Sequence, residues 1–144
     1  MSYYLFLDDS RQPSKVTWMD LPQNVEWVVA KSYQEFVVAI LTRGIPKFVT
    51  YDCDLCDEHY KAFFEMRHRY VIHYNEFKTK CGIDCAEWML KQCQRLKIPH
   101  PEFLAHTMNT YARGFIENKI KKYNAKFKKS HPSLDSLVPK EVGD

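Results

Sequence analysis

Glycine, proline and long hydrophobic runs are scarce in this chain. It has 4 glycines and 7 prolines among 144 residues, too few for a low-complexity or fibrous protein. No apolar run approaches the roughly 18 residues that a membrane-spanning helix needs. The start of the chain, Met1–Leu5, passes into a strand-like segment with no basic leader and no small-residue cleavage site. We therefore expect a soluble, cytoplasmic protein without a membrane partner.

A strong charge imbalance and a disulfide framework are also missing. The 21 basic and 18 acidic residues give a net charge of +3, which is too small to indicate a nucleic-acid-binding protein by itself. The 5 cysteines are odd in number, and we expect reduced thiols. Hydrophobic residues make up 45% of the chain, which suffices for one core and one domain.

Short apolar runs alternate with helical patterns along the chain. The predicted strands cover residues 4–7, 25–30, 48–51 and 103–105. A capping-box pair, Ser32 and Glu35, opens a helix that Gly44 closes. Two further helices are predicted from the apolar spacing after Gly82 and around Ile116. This alternation predicts an α/β domain with a mainly parallel sheet.

Three stretches depart from the strand-and-helix pattern. Residues 10–24 are predicted to form a loop with at most one helical turn. Residues 57–80 are rich in charged and aromatic side chains, and we expect an insertion that folds over one edge of the sheet. Residues 130–144 are expected to form a loosely ordered tail, so the domain itself covers residues 1–129.

Polar side chains follow three of the predicted strands. They are Asp8, Asp9, Asp52, Asp54, His106, Thr107 and Asn109. In an open α/β sheet, ligands bind outside the carboxyl ends of the strands. Converging carboxylates repel one another and favour a cation, and hard oxygen ligands suit Mg²⁺ or Mn²⁺. The predicted metal ligands are Asp8, Asp9, Asp52 and Asp54. The alternative for any single aspartate is a role as a loop starter or helix cap.

Four segments carry a resemblance to a known family. They are Leu5–Arg11, Tyr51–Tyr60, Gly82–Trp88 and His106–Asn109. In order and spacing they resemble the cyclic-phosphate-processing receiver-like domains, over residues 4–116. The resemblance implies a receiver-like (flavodoxin-like), three-layer α/β domain with a doubly wound sheet, to which this chain adds the insertion after strand three and a basic C-terminal helix. It also implies that Asp8 and Asp9 hold a divalent cation, that Asp52 meets phosphate, and that Asp54 is a second acid.

The chain departs from the family pattern at several positions. Cys53 stands where the family usually has histidine between the two acids after the third strand, and Cys56 replaces a glycine. Phe115 replaces an asparagine, whereas Arg113 keeps the basic residue of the pattern. These differences indicate either a changed substrate or a site that binds without turnover.

The cysteines allow a zinc site as an alternative. Cys53, Cys56, His59 and Cys81 have spacings that a zinc ion accepts. The favoured interpretation is free thiols, with Cys85 and Cys93 buried as small hydrophobic residues.

Six lysines lie within eleven residues near the end of the last predicted helix. They are Lys119, Lys121, Lys122, Lys126, Lys128 and Lys129. The plain interpretation is a solvated helix face. The functional interpretation is contact with a nucleic-acid backbone, for which Lys119, Lys122 and Lys126 are the candidates.

Three functions remain open from the sequence. The first is metal-dependent processing of a cyclic or terminal phosphate on RNA or a nucleotide, as in RNA repair. The catalytic residues would be Asp52 and His106, and the phosphate would be bound by Arg11, Thr107, Asn109 and Arg113. The second is a non-catalytic receiver-like module that binds a phosphorylated ligand or partner. The third is an interaction protein that acts through the lysine-rich helix, and the composition would suit a small phage protein in the host cytoplasm.

Overall fold

The computed structural model describes residues 2–55 and 80–131. The predicted insertion over 57–80, except Lys80, and the predicted tail beyond His131 lie outside the described residues. Among the helices that are described, none is both long enough and apolar enough to cross a membrane.

Within the described residues, four strands form one parallel sheet. They are β1 (Tyr4–Leu7), β2 (Trp27–Ala30), β3 (Phe48–Tyr51) and β4 (Glu102–Ala105), in the order β2-β1-β3-β4. Leu7 pairs with Ala30 on one side and with Tyr51 on the other, and Tyr51 pairs with Ala105. The carboxyl ends of the strands are therefore level. The four predicted strands are confirmed, with β2 two residues shorter at its start and β4 one residue longer.

Three α-helices are described: α1 (Tyr33–Arg43), α2 (Gly82–Leu96) and α3 (Thr110–Ser130). The start of α1 is fixed by the Ser32 side chain, which accepts a hydrogen bond from the Glu35 N–H at 3.1 Å. Its end lies at Gly44, whose φ of 86° suits glycine. The Asn109 side chain caps α3 by accepting from the Ala112 N–H at 3.2 Å. The capping residues predicted from the sequence thus delimit α1.

All three helices pack on the face of the sheet that carries Leu5, Leu7 and Tyr51. The opposite face carries Phe6, and it is covered by Val16 and Leu21 from the loop between β1 and β2. This loop contains a single 3-10 turn at Pro13–Lys15, as predicted.

The handedness of chain connections explains this division. The connections β2–β3 and β3–β4 run in one direction across the sheet, whereas β1–β2 runs in the other. Because connections between parallel strands are right-handed, the reversed one must cross the opposite face. The second outer layer of this α/β receiver-like fold is therefore a loop in the described residues, and the sheet switches direction beside β1.

Candidate functional site

Three side chains converge where β1, β3 and β4 end. The backbone N–H groups of Asp8, Asp52 and His106 continue the sheet, with hydrogen bonds of 2.9–3.0 Å to carbonyl groups of the neighbouring strands. One ligand atom of each side chain lies within 4.8 Å of the other two. All three residues are buried. We call these three residues the acidic cluster.

Asp8 is held from two sides. Its Oδ1 accepts hydrogen bonds from the backbone N–H groups of Ser10 and Arg11, at 3.0 and 2.9 Å. Its Oδ2 lies 3.0 Å from Nε2 of His106 and 3.7 Å from Nη1 of Arg11. Burial raises the pKa of Asp8, but these hydrogen bonds outweigh it and leave the pKa below its ordinary value. Asp8 is therefore an ionised carboxylate in a fixed orientation.

His106 is enclosed on every side. Its Nδ1 lies 2.8 Å from the Thr50 hydroxyl, and its ring stacks on Phe6 with 4.7 Å between the ring centres. Burial lowers the pKa of His106, although the Asp8 carboxylate opposes that shift. A neutral ring then donates from Nε2 to Asp8 and accepts from Thr50 at Nδ1. Both ring nitrogens are thus engaged with the protein.

Asp52 carries the most perturbed carboxyl group of the cluster. Burial, together with the negative charge of Asp8, raises its pKa to about 8, and the Cys53 N–H, which donates to Oδ1 at 2.8 Å, offsets this only in part. A second negative charge beside Asp8 is therefore unfavourable without a compensating cation.

The donor set fits a divalent cation. Two carboxylates from adjacent strands offer oxygen atoms to the same volume, and a cation beside them would offset the charge repulsion that contributes to the raised pKa of Asp52. Mg²⁺ and Mn²⁺ both prefer oxygen ligands, and His106, whose ring nitrogens are engaged by Asp8 and Thr50, would hold Asp8 in place for the ion. Asp8 and Asp52 are the residues that would hold the ion.

The other two predicted metal ligands lie near the cluster but are not members of it. Asp54 is buried, and its charge contributes to the raised pKa of Asp52. Asp9 is half-buried directly after Asp8. Their role as ligands stays a prediction.

The predicted phosphate-binding residues surround the cluster. The Arg11 guanidinium lies beside Asp8, partly exposed and 5.1 Å from the centre of the Trp18 ring. Arg113 donates from Nε and Nη2 to the backbone carbonyl of Thr107, at 3.2 and 2.8 Å. The hydroxyl of Thr107 accepts from the Asn109 N–H at 3.2 Å, so both residues shape the turn into α3. Direct binding of phosphate by these groups stays a prediction.

The zinc alternative involves four residues, of which two are described. Cys56 and His59 lie outside the described residues, whereas Cys53 and Cys81 are buried near the start of α2, where the Gly82 N–H donates to the Cys53 carbonyl at 2.8 Å. The predicted burial of Cys85 and Cys93 is confirmed.

Two contacts of His106 were not predicted from the sequence. Thr50, a polar residue inside the buried strand β3, orients His106, and its position in an apolar run is a signal that could have identified it. Trp18 donates its indole N–H to the His106 carbonyl at 2.7 Å. Nothing in the local sequence indicates that second contact.

A level parallel sheet with paired aspartates at the carboxyl ends of β1 and β3 defines a receiver-like α/β domain. Residues 3–122 match the family model of the cyclic-phosphate processing receiver domain, and the chain belongs to this family. The resemblance carried by the four sequence segments is thereby confirmed. Neither the curated proteins nor the solved structures gave a significant match.

Proposed function

We propose that this protein processes a cyclic or terminal phosphate on RNA or a nucleotide, with a divalent cation at the acidic cluster. The observation that carries the proposal is the convergence of Asp8 and Asp52 within 4.8 Å, together with His106, at the carboxyl edge of the sheet. Membership of the cyclic-phosphate processing receiver family supports the substrate class. For a cyclic phosphate, water would break one P–O bond of the ring and leave a phosphomonoester and a free hydroxyl.

The two aspartates of the acidic cluster and the neighbouring Arg11 would have different roles. The bound cation would supply positive charge that polarises the phosphoryl group. Asp8 stays ionised and fixed, whereas Asp52 gives up its proton when positive charge arrives beside it. Arg11 reaches the surface next to Asp8 and can donate to phosphate oxygens through its planar fork.

His106 has two possible roles in this proposal. As an acid or base it would exchange a proton with the ligand. As a positioning residue it would hold Asp8, and its engagement with both Thr50 and Asp8 supports this role. The variant His106→Gln separates the two roles. Loss of turnover with unchanged cation binding indicates proton transfer, whereas weakened cation binding indicates positioning.

The test is a turnover assay with 2′,3′-cyclic-phosphate RNA ends and nucleoside 2′,3′-cyclic phosphates, with Mg²⁺, with Mn²⁺ and with chelator. We expect turnover that requires the cation and falls by at least about 100-fold in Asp52→Asn, as for loss of an electrostatic catalytic group. Lys91→Ala, an exposed change on α2, is the control and should keep full activity. Turnover that survives chelator or Asp52→Asn would contradict the proposal.

The second candidate is a receiver-like module that binds a phosphorylated ligand without turnover. Cys53 and Phe115, which replace a histidine and an asparagine of the family pattern, favour it. Binding of the cyclic phosphate by a protein that does not hydrolyse it would support this function. Cys53→His is then the variant expected to restore turnover.

A further inference from the structure

Exposed hydrophobic side chains gather where the chain passes from the acidic cluster into α3. In the described part of the chain, six large hydrophobic residues are exposed, and three of them fall within eight residues: Met108 at 58%, Tyr111 at 37% and Phe115 at 38%. The Met108 sulfur lies 3.8 Å from Nη2 of Arg11, which itself lies beside Asp8. The rings of Tyr111 and Phe115 lie one helical turn apart, with 6.3 Å between their centres.

The two rings begin a longer feature of α3. Exposed residues follow at intervals of three or four: Tyr111, Phe115, Asn118, Lys122 and Lys126. Residues at this spacing share one face of a helix. We call these five residues the outer stripe. It starts with two aromatic rings in the first two turns of α3, which begins four residues after His106, and it continues with lysines.

The rest of α3 fixes this face toward solvent. The inner face carries Ala112, Ile116 and Ile120, which are fully buried in the core. Lys119 borders the outer stripe, where its ammonium group lies 5.2 Å from the centre of the Phe115 ring and 3.0 Å from the Glu87 carboxylate of α2. Because the apolar face is already packed, α3 cannot insert it into a lipid surface, which disfavours a membrane as the partner.

The chemistry of the outer stripe matches a single-stranded nucleic acid. Aromatic side chains offer faces on which bases stack, and lysines one turn apart attract the phosphates of a backbone. From Tyr111 to Lys126 the helix rises about 22 Å, at 1.5 Å per residue. This length suits about four nucleotides, the lower end of the site sizes of single-strand-binding folds.

We propose that single-stranded nucleic acid lies along the outer stripe with its end phosphate at the acidic cluster. The terminal bases stack on Tyr111 and Phe115, and the preceding phosphates lie near Lys122 and Lys126. The placement of the end phosphate rests on the proposed function, whereas the contact along α3 does not. The substrate is accordingly an oligonucleotide end in preference to a mononucleotide.

The test is fluorescence anisotropy with a labelled single-stranded RNA of about ten nucleotides that ends in a 3′-phosphate. Tyr111→Ala/Phe115→Ala should weaken binding by roughly tenfold, with an unchanged dependence on salt. Lys122→Ala/Lys126→Ala should lower the slope of log affinity against log salt by about 1.4, since each lysine on a single strand contributes about 0.7.

Matched controls use exposed residues of the same types on other elements. Val38→Ala/Leu41→Ala changes two exposed hydrophobic residues of α1, and Lys31→Ala/Lys91→Ala removes two exposed lysines. Both controls should bind RNA as the unaltered protein does. Equal losses in controls and outer-stripe variants would overturn the proposal. Binding that depends on the lysines but not on the aromatic pair would also overturn it, because it would indicate nonspecific attraction of a polyanion without base stacking.

The outcomes separate this inference from the proposed function. If the unaltered protein hydrolyses nucleoside 2′,3′-cyclic phosphates as efficiently as RNA ends and does not bind the labelled RNA, the outer stripe is not a nucleic-acid surface and the proposed function stands. If RNA binding follows the outer-stripe variants but no turnover occurs with any cation, the surface stands and the proposed function fails.

Discussion

Single buried residues in this protein have charge states that depend on their neighbours. Asp8 and Asp52 are both aspartates at strand ends, but their pKa values move in opposite directions. Asp8 gains hydrogen bonds from two backbone N–H groups and His106, whereas Asp52 is buried beside the charge of Asp8. The same residue type stands at both strand ends, and the different hydrogen bonds, burial and neighbouring charge of each carboxyl group separate their pKa values.

Asp52 should make the cation-free protein less stable as the pH rises. Its pKa in the folded state is about 8, above the ordinary 3.8, so the folded protein binds this proton more tightly than the unfolded chain does. The stability from the neutral carboxyl is fully present below pH 3.8 and is lost as the pH rises to about 8. The slope is about 1.4 kcal/mol per pH unit in that interval.

Urea unfolding in chelator between pH 4 and 8 measures this effect. We expect Asp52→Asn to lack the decline and to be more stable than the unaltered protein at pH 8. An identical pH dependence in both proteins would show that Asp52 is ionised in the folded state.

His100 should have the opposite effect at acidic pH. Its ring is buried, with Nε2 2.8 Å from the Tyr51 hydroxyl and Nδ1 donating to the Pro101 carbonyl at 2.7 Å. Burial lowers its pKa from 6.5 to about 4, so the unfolded chain binds the proton more tightly. The stability that comes from the neutral His100 ring is therefore fully present above pH 6.5. It is lost as the pH falls toward 4, by about 3 kcal/mol in all.

His100→Gln keeps a hydrogen-bonding side chain but does not titrate in this range. Chemical unfolding at pH 7 and at pH 4.5 should show a smaller acid-induced loss in the variant than in the unaltered protein. Equal losses would mean that His100 is solvated and titrates normally.

At the scale of elements, the start of α2 lies directly against the end of β3. A Cβ atom on Gly82 would stand 1.8 Å from the carbonyl oxygen of Asp52, so only glycine allows this approach. The strand end that carries Asp52 is therefore fixed by the backbone of a helix that follows it in sequence by thirty residues.

Substituting this glycine should have a large effect. We expect Gly82→Ala to destabilise the fold by about 1–3 kcal/mol, the range for overpacking, and to displace Asp52. Gly114→Ala in α3 is the matched control. Its Cβ would meet nothing within 4 Å, and it should stabilise the protein by about 0.5–1 kcal/mol. Thermal unfolding of the two variants gives the comparison, and equal effects would contradict the close approach.

The strands and the edge that carries the acidic residues could be predicted from the sequence. Parallel strands bring their carboxyl ends together, so Asp8, Asp52 and His106 had to meet once the four strands were recognised. The orientation of His106 could not be predicted, because it depends on Thr50 across the sheet and on the packing of Phe6. Residues 10–24 were correctly predicted to form a loop. The packing of Val16 and Leu21 against the second face of the sheet could not be predicted, because it depends on long-range contacts.

At the scale of the whole molecule, cation binding and folding should be linked. Only the folded chain brings Asp8 and Asp52 together, so a divalent cation stabilises the folded state by mass action. At a concentration of about 100 times the dissociation constant, the gain is about 2.7 kcal/mol. We expect millimolar Mg²⁺ or Mn²⁺ to raise the melting temperature of the unaltered protein.

Asp52→Asn should lose most of that shift. Glu26→Gln, an exposed change before β2, removes one negative charge elsewhere and should keep the shift. A melting temperature that does not respond to either cation would count against a cation at the acidic cluster.

The contact between Trp18 and the backbone of His106 makes Trp18 an intrinsic fluorescence probe of the acidic cluster. The indole donates to the carbonyl of a cluster residue, and the charged end of Arg11 lies over its ring. The wavelength of indole emission shifts with the electric field across the ring. A phosphate that binds Arg11 and draws it away from Trp18 should therefore shift the emission maximum. With Trp27 and Trp88 replaced by phenylalanine, a single tryptophan would report on events at the acidic cluster without any added label.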